Sequence, residues 1–375
     1  MIKRELGSVC SRLSSGKSIC AENINPIGSY PVIGGNGLRG YTDSYNFDGE
    51  CAVIGRQGAA CGNVRYHSGK AYMTEHAVVV CANDDNDTRY LSYLLSIQNL
   101  GRLSAQSAQP GISVKTLSKQ EVCLPPLDEQ KRVSQLLGTI DSKINANTKL
   151  NDYLAELLDA LFMDMLNNVD ASWEQLSLLD IASYKNGLAM QKFRPAPDDP
   201  GLPVLKIKEL GQGVCTPDSE RCTSTIDESV RIHDGNLVFS WSGTLLLDFW
   251  AGGNAGLNQH LFKVASDRYP SWLYYLWTKH HMDRFIMLAK DRATTMGHIK
   301  RSALAESEVL IPPAEQLEVL TQKMQPIVDE LIVNKVQSHK LADLRDTLLP
   351  RLMSGEIDVS SVKLPTPPNN HLGDC

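Results

Sequence analysis

An α+β architecture arranged as a pseudo-two-fold repeat is what the sequence predicts: two globular domains, separated by two long helices that pair as an antiparallel coiled coil. Three observations predict it. Short segments recur in order along the chain, each copy ends in a Pro-Pro pair, and each Pro-Pro pair opens a long stretch of apolar residues at helical spacing.

The recurrence is long in period. Leu124-Pro125-Pro126-Leu127-Asp128-Glu129-Gln130 returns as Ile311-Pro312-Pro313-Ala314-Glu315-Gln316, with the prolines 187 positions apart. Gly111-Ile112-Ser113-Val114-Lys115 is echoed by Gly297-His298-Ile299-Lys300, Thr74-Glu75-His76 by Asn258-Gln259-His260, and Pro31-Val32-Ile33 by Pro203-Val204-Leu205. The offset drifts only from 172 to 187. Four echoes in register mark two diverged copies of one unit. Each copy starts with short apolar runs broken by Gly, Asn, Asp and Ser, which read as strands. One helix is expected inside each, near Tyr90 to Gln98 and near Trp272 to Leu288.

After each Pro-Pro pair the pattern turns helical. In the first copy Val133, Leu137, Ile140, Ile144, Asn147, Asn151, Leu154, Leu158, Leu161 and Met165 step by fours and threes, a heptad seam. Leu320, Met324, Ile327, Leu331, Asn334, Ser338, Leu341 and Leu348 continue it less cleanly in the second, where Pro326 is expected to kink or loosen the helix. The resulting division is 1–123 and 171–309 for the globular domains, 124–170 and 310–356 for the helices, and 357–375 for a disordered tail. An antiparallel pair would place the two domains at opposite ends of a rod, a ruler with two heads.

Composition narrows the function. The chain has 375 residues, 42% of them hydrophobic, and a net charge of −6. Its pI of about 5.9 argues against a generally basic nucleic-acid coat, though not against a local basic face. The globular regions are near neutral, with 12 Lys/Arg against 10 Asp/Glu over 1–123 and 15 against 16 over 173–309. The nine cysteines form no CxxC and read as reduced thiols without a metal role. Neither a signal peptide nor a membrane span is visible, so a cytoplasmic location is expected.

Catalytic signatures are weak. Gly35-x-Gly37-x-x-Gly40 has the spacing of a dinucleotide loop, but no helix-forming segment follows it. Ser242, His260 and Asp248 lack any GxSxG context. His280-His281 lies in an aromatic helical pattern and reads as a polar edge of a core. No catalytic or metal-binding residue is assigned.

The LPPLDEQ and IPPAEQ pair, the ending Leu348-Leu349-Pro350-Arg351-Leu352-Met353-Ser354-Gly355-Glu356-Ile357, and the loop from Tyr30 to Tyr41 with Ile54-Gly55-Arg56-Gln57-Gly58 together resemble the specificity subunit of type I restriction–modification systems. The likeness covers residues 1–356. It departs in copy two, where Lys206-Ile207-Lys208 replaces the Gly-Asn-Gly loop. The resemblance implies a non-catalytic subunit in which two target-recognition domains read a bipartite site on double-stranded DNA. It implies helices that dock two methyltransferase subunits, and a separate motor-nuclease subunit. S-adenosylmethionine, ATP and Mg would then belong to those partners, with no cofactor in this chain. A protein–protein scaffold with two binding heads is the alternative, separated by salt-sensitive DNA binding. A detached fragment of a single-chain restriction–methylation enzyme is a further rival; the Met1 start and the complete duplicated plan count against it.

Candidate DNA contacts follow from chemistry. Arg reads guanine bidentately, and Asn or Gln reads adenine. Loop residues of these types, and lysines, are Arg39, Arg56, Gln57, Asn63 and Arg65 in copy one, and Lys206, Lys208, Asn258, Gln259, Arg292, Lys300 and Arg301 in copy two.

Asn147 and Asn334 fall at the midpoints of the two helices, 187 positions apart, and are expected to meet and fix helix register at some cost in stability. Replacing both with Leu should raise the melting temperature while loosening register; a large loss of stability would overturn that role.

Overall fold

The computed structural model describes residues 1–104, 111–291, 297–360 and 362. The chain divides into two compact units: Met1–Ser142 with the C-terminal segment from Asp343, and Lys143–Ala342. The divisions fall inside the two long helices, so each helix contributes one part to each unit.

The first unit contains β1 (Ile2–Glu5), β2 (Cys10–Ser15), β3 (Tyr30–Gly34), β4 (Gly37–Thr42), β5 (Glu50–Gly55), β6 (Val64–Ser68), β7 (Tyr72–Met73), β8 (Ala77–Ala82), α1 (Thr88–Ser96), α2 (Val114–Ser118) and β9 (Glu121–Leu124), followed by the long helix α3 (Leu127–Asn167). Strands β2-β8-β5-β6 form one antiparallel sheet and β4-β3-β7 a second, in which β3 and β7 run parallel. Strand β1 clasps β9, pairing Ile2 with Leu124. Alternation in β5 and β8 sorts side chains to two faces. Ala52, Ile54, Val78 and Val80 pack under Leu91 and Leu95 of α1, while Cys51, Val53, Ala77 and Val79 pack with Phe47 and Met73.

The second unit repeats the plan. It contains β10 (Glu174–Ser177), α4 (Leu178–Ile181), β11 (Ser183–Asn186), β12 (Leu202–Leu205), α5 (Ile207–Gln212), β13 (Arg221–Cys222), β14 (Arg231–Ile232), β15 (Leu237–Ser240), β16 (Leu247–Phe249), β17 (Ala255–Leu257), β18 (Leu261–Ala265), α6 (Ser271–His280), α7 (Met282–Asp291), α8 (Arg301–Ala305) and β19 (Glu308–Ile311), then the long helix α9 (Ala314–Met353). Strand order β11-β18-β15-β16 matches β2-β8-β5-β6; β10 clasps β19 as β1 clasps β9; and β12 runs parallel to β17 as β3 does to β7. Leu237, Phe239, Phe262 and Val264 bury one sheet face under Trp272, Leu273, Leu276 and Phe285. Val238 and Leu261 join Leu205, Leu257 and Trp250 on the other.

Both long helices complete both cores. Val133 and Leu137 of α3 and Leu349, Leu352 and Met353 of α9 lie in the first core. Leu158, Phe162 and Met165, with Met324, Val328 and Leu331, lie in the second. Within each unit the helix segments run antiparallel: Arg345 bonds Asp141 at 2.9 Å in the first, and Asn151 Nδ2 donates to the Leu331 carbonyl at 3.1 Å in the second.

Asn147 and Asn334 are both buried. Asn147 Nδ2 reaches the Asn334 carbonyl at 3.4 Å, Gln337 Oε1 at 2.8 Å and Ser338 Oγ at 3.2 Å. The Asn334 amide donates instead to Asn151 Oδ1 at 3.1 Å. The contact is therefore a five-residue polar layer rather than an amide–amide pair, and Asn147 Oδ1 is left without a partner.

Two local expectations change, at the helix near Trp272 and at the tail. The single helix expected near Trp272 to Leu288 is two helices, α6 and α7, parted at His281, whose ring bonds the Glu308 carbonyl at 2.8 Å. Helix α9 continues through Pro326. The tail expected from 357 starts packed: Val359 is buried in the first core, with Ile357 and Val362 against it, because these apolar side chains have a surface to cover. The remainder of that tail, from 363, lies outside the described residues.

The Gln of the LPPLDEQ motif has a structural task. Buried Gln130 accepts from the Asp87 N–H at 3.0 Å and donates to the Pro125 carbonyl at 2.9 Å, while Asp87 caps α1 by accepting from the Tyr90 N–H. The echoing Gln316 is exposed. In the second unit Gln325 anchors the start of α6 instead, bonding Ser271.

One crossing is duplicated at atomic detail. The Gly16 N–H donates to the Ala77 carbonyl at 3.0 Å, as Gly187 does to Leu261. A Cβ at Gly16 would lie 2.1 Å from the Met73 carbonyl oxygen, and one at Gly187 2.2 Å from that of Leu257. Gly16→Ala and Gly187→Ala should each destabilise the chain by about 2 kcal/mol or more. Urea unfolding measures this, and wild-type stability in either variant would contradict the close crossing.

Candidate nucleic-acid interface

Four chain segments converge in each unit, and the same backbone bonds hold them. In the first, the Thr74 N–H donates to the Ile33 carbonyl (2.9 Å), the Arg56 N–H to that of His76 (3.0 Å), and the Ile112 N–H to that of Arg56 (2.9 Å). In the second, the Asn258 N–H donates to Leu205 (3.1 Å), Trp241 to His260 (3.4 Å), and Ile299 to Trp241 (3.0 Å). Gln57 bridges Gly111 as Ser242 bridges His298. The bonds make Arg56 equivalent to Trp241, Gln57 to Ser242, and Thr74-Glu75-His76 to Asn258-Gln259-His260.

The first unit gathers arginines here. Arg39 lies on β4 and Arg65 on β6, both exposed. The Arg39 Cδ would lie 2.8 Å from a Cβ at Gly34, and the Arg65 guanidinium Nη1 2.6 Å from one at Gly37, so both cover the same hairpin. Arg56 is half-buried; Gln57 and Asn63 are exposed. Among the described residues none of these three arginines has an acidic partner. Uncompensated positive charge of this kind attracts polyanions.

The second unit is less basic and more aromatic. Lys206 pairs with Glu220, which also meets Arg194 at 2.8 Å. The hydrogen bond from Lys206, together with both positive charges, holds the Glu220 carboxyl below its ordinary range. Lys208 and Lys300 are exposed, and Arg301 donates to the Tyr184 carbonyl at 3.2 Å. Asn258 is buried, with Oδ1 accepting from the His260 N–H at 3.3 Å. Arg292 lies outside the described residues. Trp241 stacks obliquely on His260, ring centroids 5.9 Å apart.

The duplicated junction also holds unmatched polar atoms. Thr74 Oγ1, Glu75 Oε2, Trp241 Nε1 and Gln259 Oε1 are shielded from solvent and have no hydrogen-bond partner. Each such atom costs about 1–3 kcal/mol, so a ligand that supplies the missing bond is favoured there. Residue type in the loops pointed to Arg56 and Gln259; Ser242 and His260 stood out only as a hydrolase pattern without GxSxG context, and Trp241, His298, Thr74, Glu75 and His76 gave no signal. The Thr74-Glu75-His76 echo was visible as repetition only.

Ser242 Oγ and His260 Nδ1 are 3.0 Å apart, but Asp248 pairs with Lys335. Among the described residues no group of three or more His, Cys, Asp or Glu is poised to hold a metal ion, and no helix is long and apolar enough to cross a membrane.

Residues 1–156 match the family model of the type I restriction modification DNA specificity domain. The chain is 35% identical over 153 residues to the type I restriction enzyme EcoprrI specificity subunit of Escherichia coli, a match covering 40% of this chain and 38% of that protein. It is 22% identical over 312 residues to the MjaIX specificity subunit of Methanocaldococcus jannaschii, covering 73% and 70%. The fold is shared with the crystal structure of a type I restriction-modification system S subunit from M. genitalium, at TM-score 0.64 and 17% identity, over 94% of this chain and 95% of that one.

Arg56→Ala tests the arginine cluster. If Arg56 meets a phosphate, the slope of log affinity against log salt falls by about one; if it meets a base edge, the preferred sequence changes. Binding and preference both unchanged would remove Arg56 from the interface.

Proposed function

We infer that this chain, whose first 156 residues match the type I restriction modification DNA specificity domain, is a non-catalytic DNA specificity subunit. Residues 1–123 and 171–309 act as two target-recognition domains, each reading one half of a split duplex target. Residues 124–170 and 310–356 form the spacer helices on which two methyltransferase subunits dock, and a motor-nuclease subunit joins the assembly. S-adenosylmethionine, ATP and Mg belong to those partners, and the complex works in the cytoplasm.

The observation that carries this reading is the duplicated junction. The family match ends at residue 156, so the second domain enters through internal equivalence, with one backbone bonding scheme holding different side chains. Identical frames with different side chains suit two half-sites of different sequence. Arg39, Arg56, Gln57, Asn63 and Arg65 are the candidate contacts to one half-site, and Lys208, Gln259 and Lys300 those to the other.

Expression with the neighbouring methyltransferase in a methylation-free host, followed by single-molecule sequencing, gives the test. One split adenine-methylated motif that disappears when this chain is withheld is the expected result. No new methylation, with the partner folded and bound, would favour a protein–protein scaffold instead.

A further inference from the structure

We propose that Glu75 and Gln259 are a matched pair of base-reading side chains, one in each unit, that accept a hydrogen bond from an exocyclic amino group in the major groove. The inference rests on reading the chain as a DNA specificity subunit and adds which positions discriminate and for which base.

The two positions are equivalent by bonding. Each is held from the residue before it, where Thr74 and Asn258 donate to Ile33 and Leu205, and from the residue after it, where the His76 and His260 carbonyls accept from Arg56 and Trp241. Each carries one side-chain oxygen without a partner, Glu75 Oε2 and Gln259 Oε1. Their remaining contacts are weak and local: Glu75 Oε1 lies 3.3 Å from His76 Nε2, and Gln259 Nε2 lies 3.4 Å from His260 Nε2. Neither side chain is tied to another strand or helix by its polar end. Both are half-buried, and their terminal torsion is soft, so exchanging the two terminal atoms needs no backbone movement.

The chemistry then selects the ligand. An acceptor in the major groove can meet only two base donors, the cytosine N4 and adenine N6 amino groups. The Glu75 carboxylate only accepts and suits cytosine. The Gln259 amide accepts and donates and suits adenine, whose N7 takes the second bond. A carboxylate facing DNA needs cations in the same unit to hold the phosphates; Arg56, whose N–H bonds the His76 carbonyl, and Arg39 and Arg65 on the glycine hairpin supply them.

The test uses the full chain bound to its methyltransferase subunits and a randomised duplex library, with bound DNA sequenced. Glu75→Gln should change a single position of one half-site from cytosine towards adenine. Gln259→Glu should change a single position of the other half-site from adenine towards cytosine. Each swap should move relative preference roughly tenfold or more and leave the opposite half-site intact. Glu75→Ala and Gln259→Ala should relax the same two positions. Swap variants that melt like the wild type yet select the wild-type motif, or lose affinity equally for all sequences, would overturn the assignment. A wild-type complex that selects no motif would overturn the specificity reading itself, a separate result.

Discussion

Neither globular unit closes its core without both long helices. Val133 and Leu137 from α3 and Leu349 and Leu352 from α9 seal the first; Leu158 and Phe162 with Met324 and Val328 seal the second. Burial of side chains this size contributes about 1.5–3 kcal/mol each, so helix pairing and folding of the globular parts are one process. A helix that slipped by one heptad would pull these residues from both cores together. Register is thus favoured by the apolar clusters, with the polar layer around Asn147 between them in the seam.

That layer is expensive for what it holds. Asn147 Nδ2 has three acceptors within reach, while its oxygen has no partner. An apolar pair would pack there without this mismatch. A polar layer in an otherwise apolar seam penalises alternative registers, since each slip leaves more than one amide buried without partners.

The interface separates frame from content. The frame is backbone: donors at 56, 74 and 112 find acceptors at 76, 33 and 56, and donors at 241, 258 and 299 find the equivalent ones at 260, 205 and 241. Backbone bonds are indifferent to side-chain identity, so the side chains could diverge without cost to the fold. The first unit holds arginines at the junction. The second holds an aromatic–imidazole stack and lysines, one already committed to Glu220. A chain built this way presents different chemistry on one pattern of backbone bonds.

The sequence by itself determined the duplicated plan, the strands and the long helices. Periodicity of apolar residues and placement of proline act through neighbours in the chain, which a sequence displays. It also showed Thr74-Glu75-His76 and Asn258-Gln259-His260 as echoes. Tertiary structure alone decided where those echoes sit, in equivalent backbone bonds to Ile33 and Leu205. Trp241 stands where Arg56 stands because each directly follows the corresponding strand of its sheet, β15 or β5, not because the residues are alike. Which cations are free was also decided in space: Lys206 is neutralised by Glu220 and Arg301 engaged by the Tyr184 carbonyl, whereas Arg39 and Arg65 lie over a glycine hairpin without an acidic neighbour among the described residues. Periodicity reads burial, but the partner of a polar atom depends on the sheets bringing distant loops together, and no local pattern encodes that distance.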